Sequence, residues 1–312
     1  MALEKIFKDF IHFAQCNELK IEGIAIADTD KVILEHRFMP DQERNIYSHT
    51  KSYMSMAAGI AIEEGKLSLS DKLADLFPQY VPENADPRLL EITLENLLTM
   101  TSGFHRAYLM GADRRAGIGF PDYMEYMMTR PILRNPGEEF CYSTADSILA
   151  GRMIEQATGQ RLGEYLYRHV FSRLDQGWPQ WENDPQGHPI GGGSIFMRLT
   201  EMMKLGQVFL ADGKWKHERI ISSEWVKAAT TKHVETNTES QEQNEWTCGY
   251  GYQFWMSPYP GAYRADGAYG QISTVLPESG LVVAVQCPEW GDFNKVRKGL
   301  HEELLNRIVE EV

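Results

Sequence analysis

The segments with β-strand character lie at the two ends of this 312-residue chain, and the stretch between them has the character of helices and loops. Near the amino terminus, residues 21–27 and 31–38 are separated by Asp-Thr-Asp, a sequence typical of a hairpin turn. Near the carboxyl terminus, strand-like runs occupy residues 250–256, 262–266, 271–276 and 281–287. The last two runs are joined by the turn sequence Pro-Glu-Ser-Gly. Strands from both ends are therefore predicted to form one antiparallel sheet.

Helices at the termini and in the middle of the chain complete this layout. Residues 2–16 and 293–312 carry apolar side chains at helical spacing and are predicted to pack on the sheet. The expected fold class is α+β, with the whole chain, 1–312, as a single domain of two lobes. The α/β lobe is assigned to about residues 1–66 and 245–312, and a mainly helical lobe to about residues 67–244. The cleft between the lobes is the expected site.

A serine and a lysine stand three residues apart at the start of residues 45–65, a run with helical and mostly apolar character. Positions i and i+3 share one face of a helix, so Lys51 can point its amine at the Ser48 hydroxyl. The first turn of a helix has unpaired backbone N–H groups and partial positive charge, which suit a developing oxyanion. Ser48 and Lys51 are thus candidates for a nucleophile and its base. The alternative is a coincidence on an ordinary core helix, because serine and lysine are both common.

Charge and motif content argue against several classes of function. The formal net charge is −13 and the pI is near 5.2, which disfavours nucleic acid and an anionic membrane surface as partners. The cysteines are widely separated and the histidines lack metal-ligand spacing, so we expect no disulfide framework, no metal and no cofactor. The first residues mix charges into their apolar positions, which predicts a cytoplasmic protein without a signal peptide or membrane span. A chain whose export signal had been removed would look the same.

Two further segments carry groups suited to the same chemistry. Tyr142 ends a loop just before a predicted helix at residues 145–157, where its hydroxyl can complete a proton path to a leaving group. A packing tyrosine is the commoner role for such a residue. Residues 262–271 form a glycine-punctuated strand, whose backbone can approach a ligand closely and add an N–H to an oxyanion hole. A strand that simply ends in a glycine turn is the alternative. The polar residues 105–115 are interpreted as a solvated face rather than a cleft mouth.

Seven short segments resemble, in order, motifs of the serine β-lactamase-like superfamily. They are Ser48-His49-Thr50-Lys51, residues 60–67, residues 97–103, Tyr142-Ser143-Thr144, residues 191–194, residues 220–226 and residues 266–270. Each motif is weak alone, but the ordered set is specific, and the similarity runs from about Ile21 over nearly the whole chain. Within the superfamily, the chain is similar to the group of class C β-lactamases, penicillin-binding proteins and family VIII-type esterases.

The resemblance implies a serine hydrolase that acts through an acyl-enzyme. Ser48 would be the acylated nucleophile, Lys51 would accept or share its proton, and Tyr142 would serve as general base and acid. Backbone N–H groups of Ser48 and Ala268 would hold the oxyanion. The residues expected to contact substrate are Thr144, Asp266 and Gly267.

Two departures from the family pattern bear on the substrate. Thr144 stands where the family often has Asn, and it lacks the amide that engages an acylamino side chain. Ala265 and Asp266 stand where the family often has Lys or His followed by Thr or Ser. A cation for the carboxylate of a penicillin or a peptide terminus is therefore missing, and an acid lies beside the gap. The expected partner is a small-molecule ester, or an amide without that carboxylate.

Two alternatives remain beside the ester hydrolase. A β-lactamase or D-alanyl-D-alanine carboxypeptidase is the alternative among enzymes. A catalytically inactive homologue that binds a ligand in the same cleft is the alternative of another class. The joint presence of Ser48, Lys51 and Tyr142 argues against the inactive homologue, since ligand binding needs none of them as a set.

Overall fold

The framework of the fold is a six-stranded antiparallel sheet, in a computed structural model that describes residues 2–236 and 244–312. The strands within these residues are β1 Gly23–Ala27, β2 Val32–Arg37, β3 Arg44–Asn45, β4 Phe196–Met197, β5 Lys214–Trp215, β6 Glu218–Arg219, β7 Trp255–Met256, β8 Tyr263–Gly267, β9 Gln271–Leu276 and β10 Leu281–Gln286. The sheet has the order β2-β1-β10-β9-β8-β7. The predicted α+β fold, with a sheet built from both chain ends, is confirmed. Residues 237–243, assigned above to the helical lobe, lie outside the described residues.

The helices lie in three places: against either face of the sheet and in the body beside it. They are α1 Ala2–Cys16, α2 Thr50–Glu63, α3 Leu73–Leu76, α4 Leu94–Leu98, α5 Gly111–Arg115, α6 Tyr123–Met128, α7 Thr144–Thr158, α8 Leu162–Leu166, α9 Leu199–Leu210, α10 Ser223–Ala229, α11 Phe293–Leu300 and α12 Asn306–Glu311. A π-helical turn at His301–Leu305 joins α11 to α12, so the predicted terminal helix is continuous.

The two faces of the sheet are covered by different helices because side chains alternate along each strand. On β10, Val283 and Val285 pack with α1, α11 and α12, whereas Val282 and Ala284 join the larger core on the other face. Helix α9 lies against that second face, within the range that the sequence assigned to the helical lobe. Its Gly206 permits the close approach, because a Cβ there would lie 2.8 Å from Val282 Cγ1.

The predicted strand at residues 250–256 is a strand only over β7, because Gln253 turns the chain away. Its φ is 63°, and its side-chain amide donates to the carbonyls of Leu97 (3.2 Å) and Leu98 (2.9 Å). Its amide oxygen accepts from Ser147 Oγ at 2.6 Å. A buried glutamine thus ties the edge of the sheet to α4 and α7, at the expense of regular strand pairing.

Helix α2 occupies the centre of the molecule. All of its residues from Thr50 to Ala61 are buried, as its apolar character on most faces predicts. It packs on α7 and α8 and also touches β8. The residues immediately before α2 are therefore held by the core on one side and reach the sheet on the other.

A buried cluster of three charges braces β8 against α11. Asp266 accepts hydrogen bonds from Arg264 Nε at 2.8 Å and from Arg297 Nη2. Arg264 also donates to the Met256 carbonyl at 2.8 Å. All three side chains are buried, and Arg297 Nη1 also lies 3.4 Å from Glu245 Oε1, so Asp266 is the acid that both guanidinium groups share.

Removal of this carboxylate is expected to be costly. Asp266→Ala would leave Arg264 buried without an acid and Arg297 with Glu245 alone, and we expect the unfolding free energy to fall by roughly 3–5 kcal/mol. Urea denaturation followed by circular dichroism measures the change. Asp9 is the matched control, since it bridges Lys5 and Arg307 on the surface. If Asp9→Ala destabilises as much as Asp266→Ala, the buried cluster has no special role.

Candidate active site

Ser48 lies in a tight turn that leads directly into α2. It is a single 3₁₀ turn at Tyr47–His49, and α2 begins at the next residue, Thr50. Tyr47 has a left-handed φ of 46°, and its N–H donates to Asn45 Oδ1 at 2.8 Å. Its ring packs against Tyr269, with the ring centroids 5.1 Å apart. A non-glycine residue in this conformation must be held by its surroundings, and here it presents Ser48 to a cleft.

Lys51 points its amine at Ser48 from inside the protein. Its Nζ is 3.4 Å from Ser48 Oγ and 3.4 Å from Thr144 Oγ1, and it donates to the Gly192 carbonyl at 2.6 Å. Gly192 allows this contact, because a Cβ there would lie 3.0 Å from the amine. Burial lowers the pKa of Lys51 to about 7, Arg114 acts in the same direction, and Asp146 opposes them. A substantial fraction of the amine is therefore neutral near pH 7 and able to accept a proton.

Tyr142 completes the group of side chains around Ser48. It precedes the first turn of α7, and its ring centroid lies 5.1 Å from Lys51 Nζ and 5.2 Å from the ring of Trp255. Burial raises the pKa of Tyr142, and the adjacent Ser48 hydroxyl acts in the opposite direction. The phenol therefore keeps its proton near neutral pH and can donate it.

His49, next to the serine, belongs to the core instead. Its Nε2 lies 2.9 Å from Ser273 Oγ, and the side chain is fully buried. Burial lowers the pKa of His49 to about 3, so the ring is neutral at ordinary pH. Its hydrogen bond directs it towards β9, which leaves Lys51 as the base nearest to Ser48.

The carboxyl end of β8 is packed against the turn that carries Ser48. A Cβ at Gly267 would lie 2.1 Å from the Ile46 carbonyl oxygen, so only glycine permits this approach. Ala268 follows at once and lines the same cleft as Ser48. The two backbone N–H groups predicted for an oxyanion hole thus come from neighbouring segments.

Of the three predicted substrate contacts, Thr144 lines the cleft, and Asp266 and Gly267 do not. Thr144 lines the cleft and lies beside Lys51. Gly267 acts through the backbone packing just described. Asp266 does not line the cleft, because its carboxylate is held by Arg264 and Arg297 in the buried cluster. Its charge is compensated there, so the repulsion of a substrate carboxylate expected from Asp266 loses its physical basis.

The cleft has a volume of about 540 Å³. It contains charged side chains that the sequence analysis predicts to lie on a solvated face. Its lining comprises Asn45, Tyr47, Ser48, Met110, Gly111, Ala112, Arg114, Arg115, Thr144, Glu182, Gly192, Gly193, Ser194, Ala268 and Tyr269. Arg114 and Arg115 come from α5, in the loop region assigned above to solvent. Nothing in the spacing of that loop distinguishes Arg114, which faces the cleft, from Arg106, which is exposed at the surface.

Asp146 is a second group that sequence reasoning missed. It is fully buried on the first turn of α7, and burial raises its pKa to about 7. Ser102 and Lys51 oppose that rise. The available signal was an aspartate two residues before the apolar run Ile148-Leu149-Ala150 of α7, since a buried carboxyl needs a partner.

No helix within residues 2–236 and 244–312 has both the length and the apolar character to span a bilayer. The same residues gather no group of three His, Cys, Asp or Glu side chains able to hold a metal ion.

Comparison with known proteins gives matches over most of the chain. The family model described as Beta-lactamase matches residues 12–303. The 6-aminohexanoate-dimer hydrolase of Paenarthrobacter ureafaciens is 24% identical over 82% of this chain and 68% of its own length. Lovastatin esterase of Penicillium rubens is 27% identical over 59% of this chain, and the match spans 53% of that enzyme. Simvastatin synthase (LovD) from Aspergillus terreus has a TM-score of 0.74 and 17% identity, with 100% of this chain and 98% of that one covered.

The packing of Gly267 against Ile46 can be tested by labelling of the serine. Gly267→Ala should displace the end of β8 from the Ser48 turn and slow labelling by a fluorophosphonate by about 10²-fold, the effect of losing one oxyanion donor. Gly177→Ala is the control, because a Cβ at that position would meet no atom within 4 Å. Equal labelling rates for Gly267→Ala and wild type would exclude a role for this contact.

Proposed function

The chain belongs to the beta-lactamase family, and from that premise we propose that it is a serine hydrolase that cleaves an ester or a small amide through an acyl-enzyme. The observation that carries the proposal is the buried Lys51 amine, 3.4 Å from Ser48 Oγ, with a pKa lowered to about 7. A serine hydroxyl becomes a nucleophile only beside a group that can take its proton, and a lysine with an ordinary pKa cannot do so near neutral pH.

Acylation begins with proton transfer within this pair. Lys51 takes the hydroxyl proton as Ser48 Oγ attacks the substrate carbonyl, and the carbonyl oxygen becomes an oxyanion. The N–H groups of Ser48 and Ala268 are assigned to that oxyanion, on the evidence of the Gly267 packing. The charge on the oxyanion and the new charge on Lys51 then compensate each other inside the cleft.

Tyr142 is assigned to the leaving group. Its raised pKa keeps the phenol protonated, so it can donate to the departing alkoxide or amine and recover a proton from the Lys51 ammonium. Ser48 remains acylated and the other two groups return to their starting states. Water then attacks the acyl carbonyl while its proton follows the reverse path, and Ser48 regains its hydrogen as the acid is released.

The side chains near β8 support esters or simple amides over β-lactams. Ala265 offers no cation, and the neighbouring Arg264 is engaged by Asp266 and the Met256 carbonyl. Two of the relatives are, by their names, a hydrolase of the 6-aminohexanoate dimer and an esterase of lovastatin. Both kinds of substrate contain the planar acyl group that the proposed mechanism requires.

The assignment is tested with a panel of p-nitrophenyl esters and a chromogenic cephalosporin. Wild type should hydrolyse at least one ester and be labelled by a serine-directed phosphonate. Ser48→Ala should reduce turnover to background and abolish labelling, and Tyr142→Phe should lower kcat by about 10²-fold or more. Equal slow turnover by wild type and Ser48→Ala, without labelling, would support the inactive ligand-binding homologue. Fast cephalosporin turnover without ester turnover would support a β-lactamase.

The pH dependence of ester hydrolysis tests the role of Lys51. Because only the neutral amine accepts the serine proton, kcat/KM should rise with pH through about 7, the lowered pKa of Lys51. Asp146 raises the pKa of Lys51, so Asp146→Asn should move this rise to lower pH. Asp30→Asn, in the exposed turn after β1, is the control and should leave the profile in place. If the rise of kcat/KM moves to higher pH in Asp146→Asn, or does not move, the rise does not report the loss of a proton from Lys51.

A further inference from the structure

Arg114 presents a guanidinium to the cleft with hydrogen-bonding capacity to spare. Its Nη1 donates to the Leu109 carbonyl at 2.9 Å, which fixes the side chain across the start of α5. Its Nε is buried and has no partner among the described residues. A buried donor without an acceptor is costly, and a guanidinium has five donors in a fixed planar fork. Nε itself is closed to a ligand in the cleft, but Nη2 lies towards Gly193 and has no acceptor among the described residues, so it is the donor available to a ligand.

The charge balance of the cleft favours an anionic acceptor. Arg114 and Arg115 both line it, whereas Glu182 is the one acidic side chain in the lining formed by the described residues. Burial lowers the pKa of Arg114, and Glu182 gives the largest opposing effect. Glu182 is exposed at the rim, so water screens its charge more than that of the partly buried Arg114. A carboxylate can accept two parallel hydrogen bonds from one guanidinium, the arrangement in which such pairs are strongest.

The position of Gly193 relates Arg114 to the reacting serine. A Cβ at Gly193 would lie 3.7 Å from the Tyr47 carbonyl oxygen on one side and 3.9 Å from Arg114 Nη2 on the other. A short aliphatic chain of a ligand is therefore long enough to span the distance between the guanidinium and the backbone next to Ser48. Because Gly193 has no side chain, the space between them remains open to a ligand.

The lining residues indicate which half of the substrate enters this space. The cleft is lined by Ser48 and Ala268, which would hold the carbonyl, but not by Tyr142, which would protonate the leaving group. The carbonyl belongs to the acyl half, so the volume beside Arg114 is available to the acyl chain. This position differs from that of the carboxylate of a penicillin, which the family pattern places beside β8.

We propose that Arg114 binds a carboxylate at the far end of the acyl chain, so that the preferred substrates are half-esters or half-amides of dicarboxylic acids. This inference rests on the proposed hydrolase function. The inference adds a substrate class to that function, since the serine chemistry alone would accept a neutral acyl chain equally well.

The test compares two series of substrates that differ only in one terminal group. The first comprises p-nitrophenyl half-esters of adipic, pimelic and suberic acids, and the second the same esters with a terminal primary amide. The readout is the ratio of kcat/KM for the carboxylate to that for the amide, which cancels any general effect of a substitution on the catalytic groups. Wild type should favour the carboxylate by about tenfold or more at the best chain length.

Arg114→Gln should reduce this ratio to about one, and Arg114→Lys should restore part of it, because lysine keeps the charge without the planar fork. Arg106→Gln is the matched control: it removes the same charge from the same loop, at an exposed position paired with Asp113. It should leave the wild-type ratio in place. A ratio near one in wild type, or an equal loss in Arg106→Gln, would overturn the proposal.

Two further series of substrates show which half of the substrate carries the preferred carboxylate. They also distinguish failure of this inference from failure of the proposed hydrolase function. Esters of 4-hydroxybenzoate with neutral acids carry the carboxylate in the leaving group, and amino-terminated acyl chains replace the anion by a cation. A preference for either series over the dicarboxylate half-esters would overturn the acyl assignment. Turnover of the amide series that depends on Ser48, without any carboxylate preference, would reject this inference and leave the hydrolase intact. Absence of any Ser48-dependent turnover would instead reject the proposed function.

Discussion

The site depends on an amine that is held away from water. Lys51 is on α2, whose residues from Thr50 to Ala61 are all buried, yet its Nζ reaches Ser48 at the cleft. The surrounding contacts are two hydroxyls and one backbone carbonyl, which solvate the amine without supplying a full negative charge. Such surroundings favour the neutral form over the charged one. The same burial that stabilises α2 in the core thus prepares the base, and neither can be altered alone.

The geometry around that amine is assembled from segments distant in sequence. Gly192 brings a loop carbonyl to Lys51, and Gly267 brings the end of β8 to the turn before Ser48. A Cβ at Gly192 would lie 2.6 Å from Thr144 Cγ2, and a Cβ at Gly267 would lie 2.1 Å from the Ile46 carbonyl oxygen, so the absence of a side chain is the structural requirement at both positions. The six-stranded sheet makes this possible because β1 and β10 are paired, which brings the two ends of the chain together. The fold therefore places Ser48, from the N-terminal part of the chain, beside a C-terminal strand with no long connection across the cleft.

Much of the framework was predictable from the sequence because it follows from local pattern. The alternation in the end strands, the apolar faces of α2 and the spacing of Ser48 and Lys51 are short-range features. The side chains that tune the site are a different case. Arg114 and Asp146 lie on different helices from Lys51, and their effect on its pKa depends on distances that no local pattern encodes. The same holds for Asp266: its neighbour Arg264 is two residues away, but Arg297 comes from a helix near the end of the chain. The placement of α9 on the sheet also reflects tertiary packing rather than its own sequence.

The brace formed by Arg264, Asp266 and Arg297 has a consequence for how specificity can change over evolution. The position next to Ala265, where similar proteins often carry a polar residue of the binding strand, is here part of the internal support of β8 and α11. A lysine introduced at Ala265 would enter a strand whose neighbouring charges are already committed to each other. Replacement of Asp266 by another polar residue would therefore disturb the buried cluster unless Arg264 and Arg297 changed with it. A change at this strand position is thus coupled to the internal support of β8 and α11, whereas α5 and the cleft loops can vary without disturbing that support.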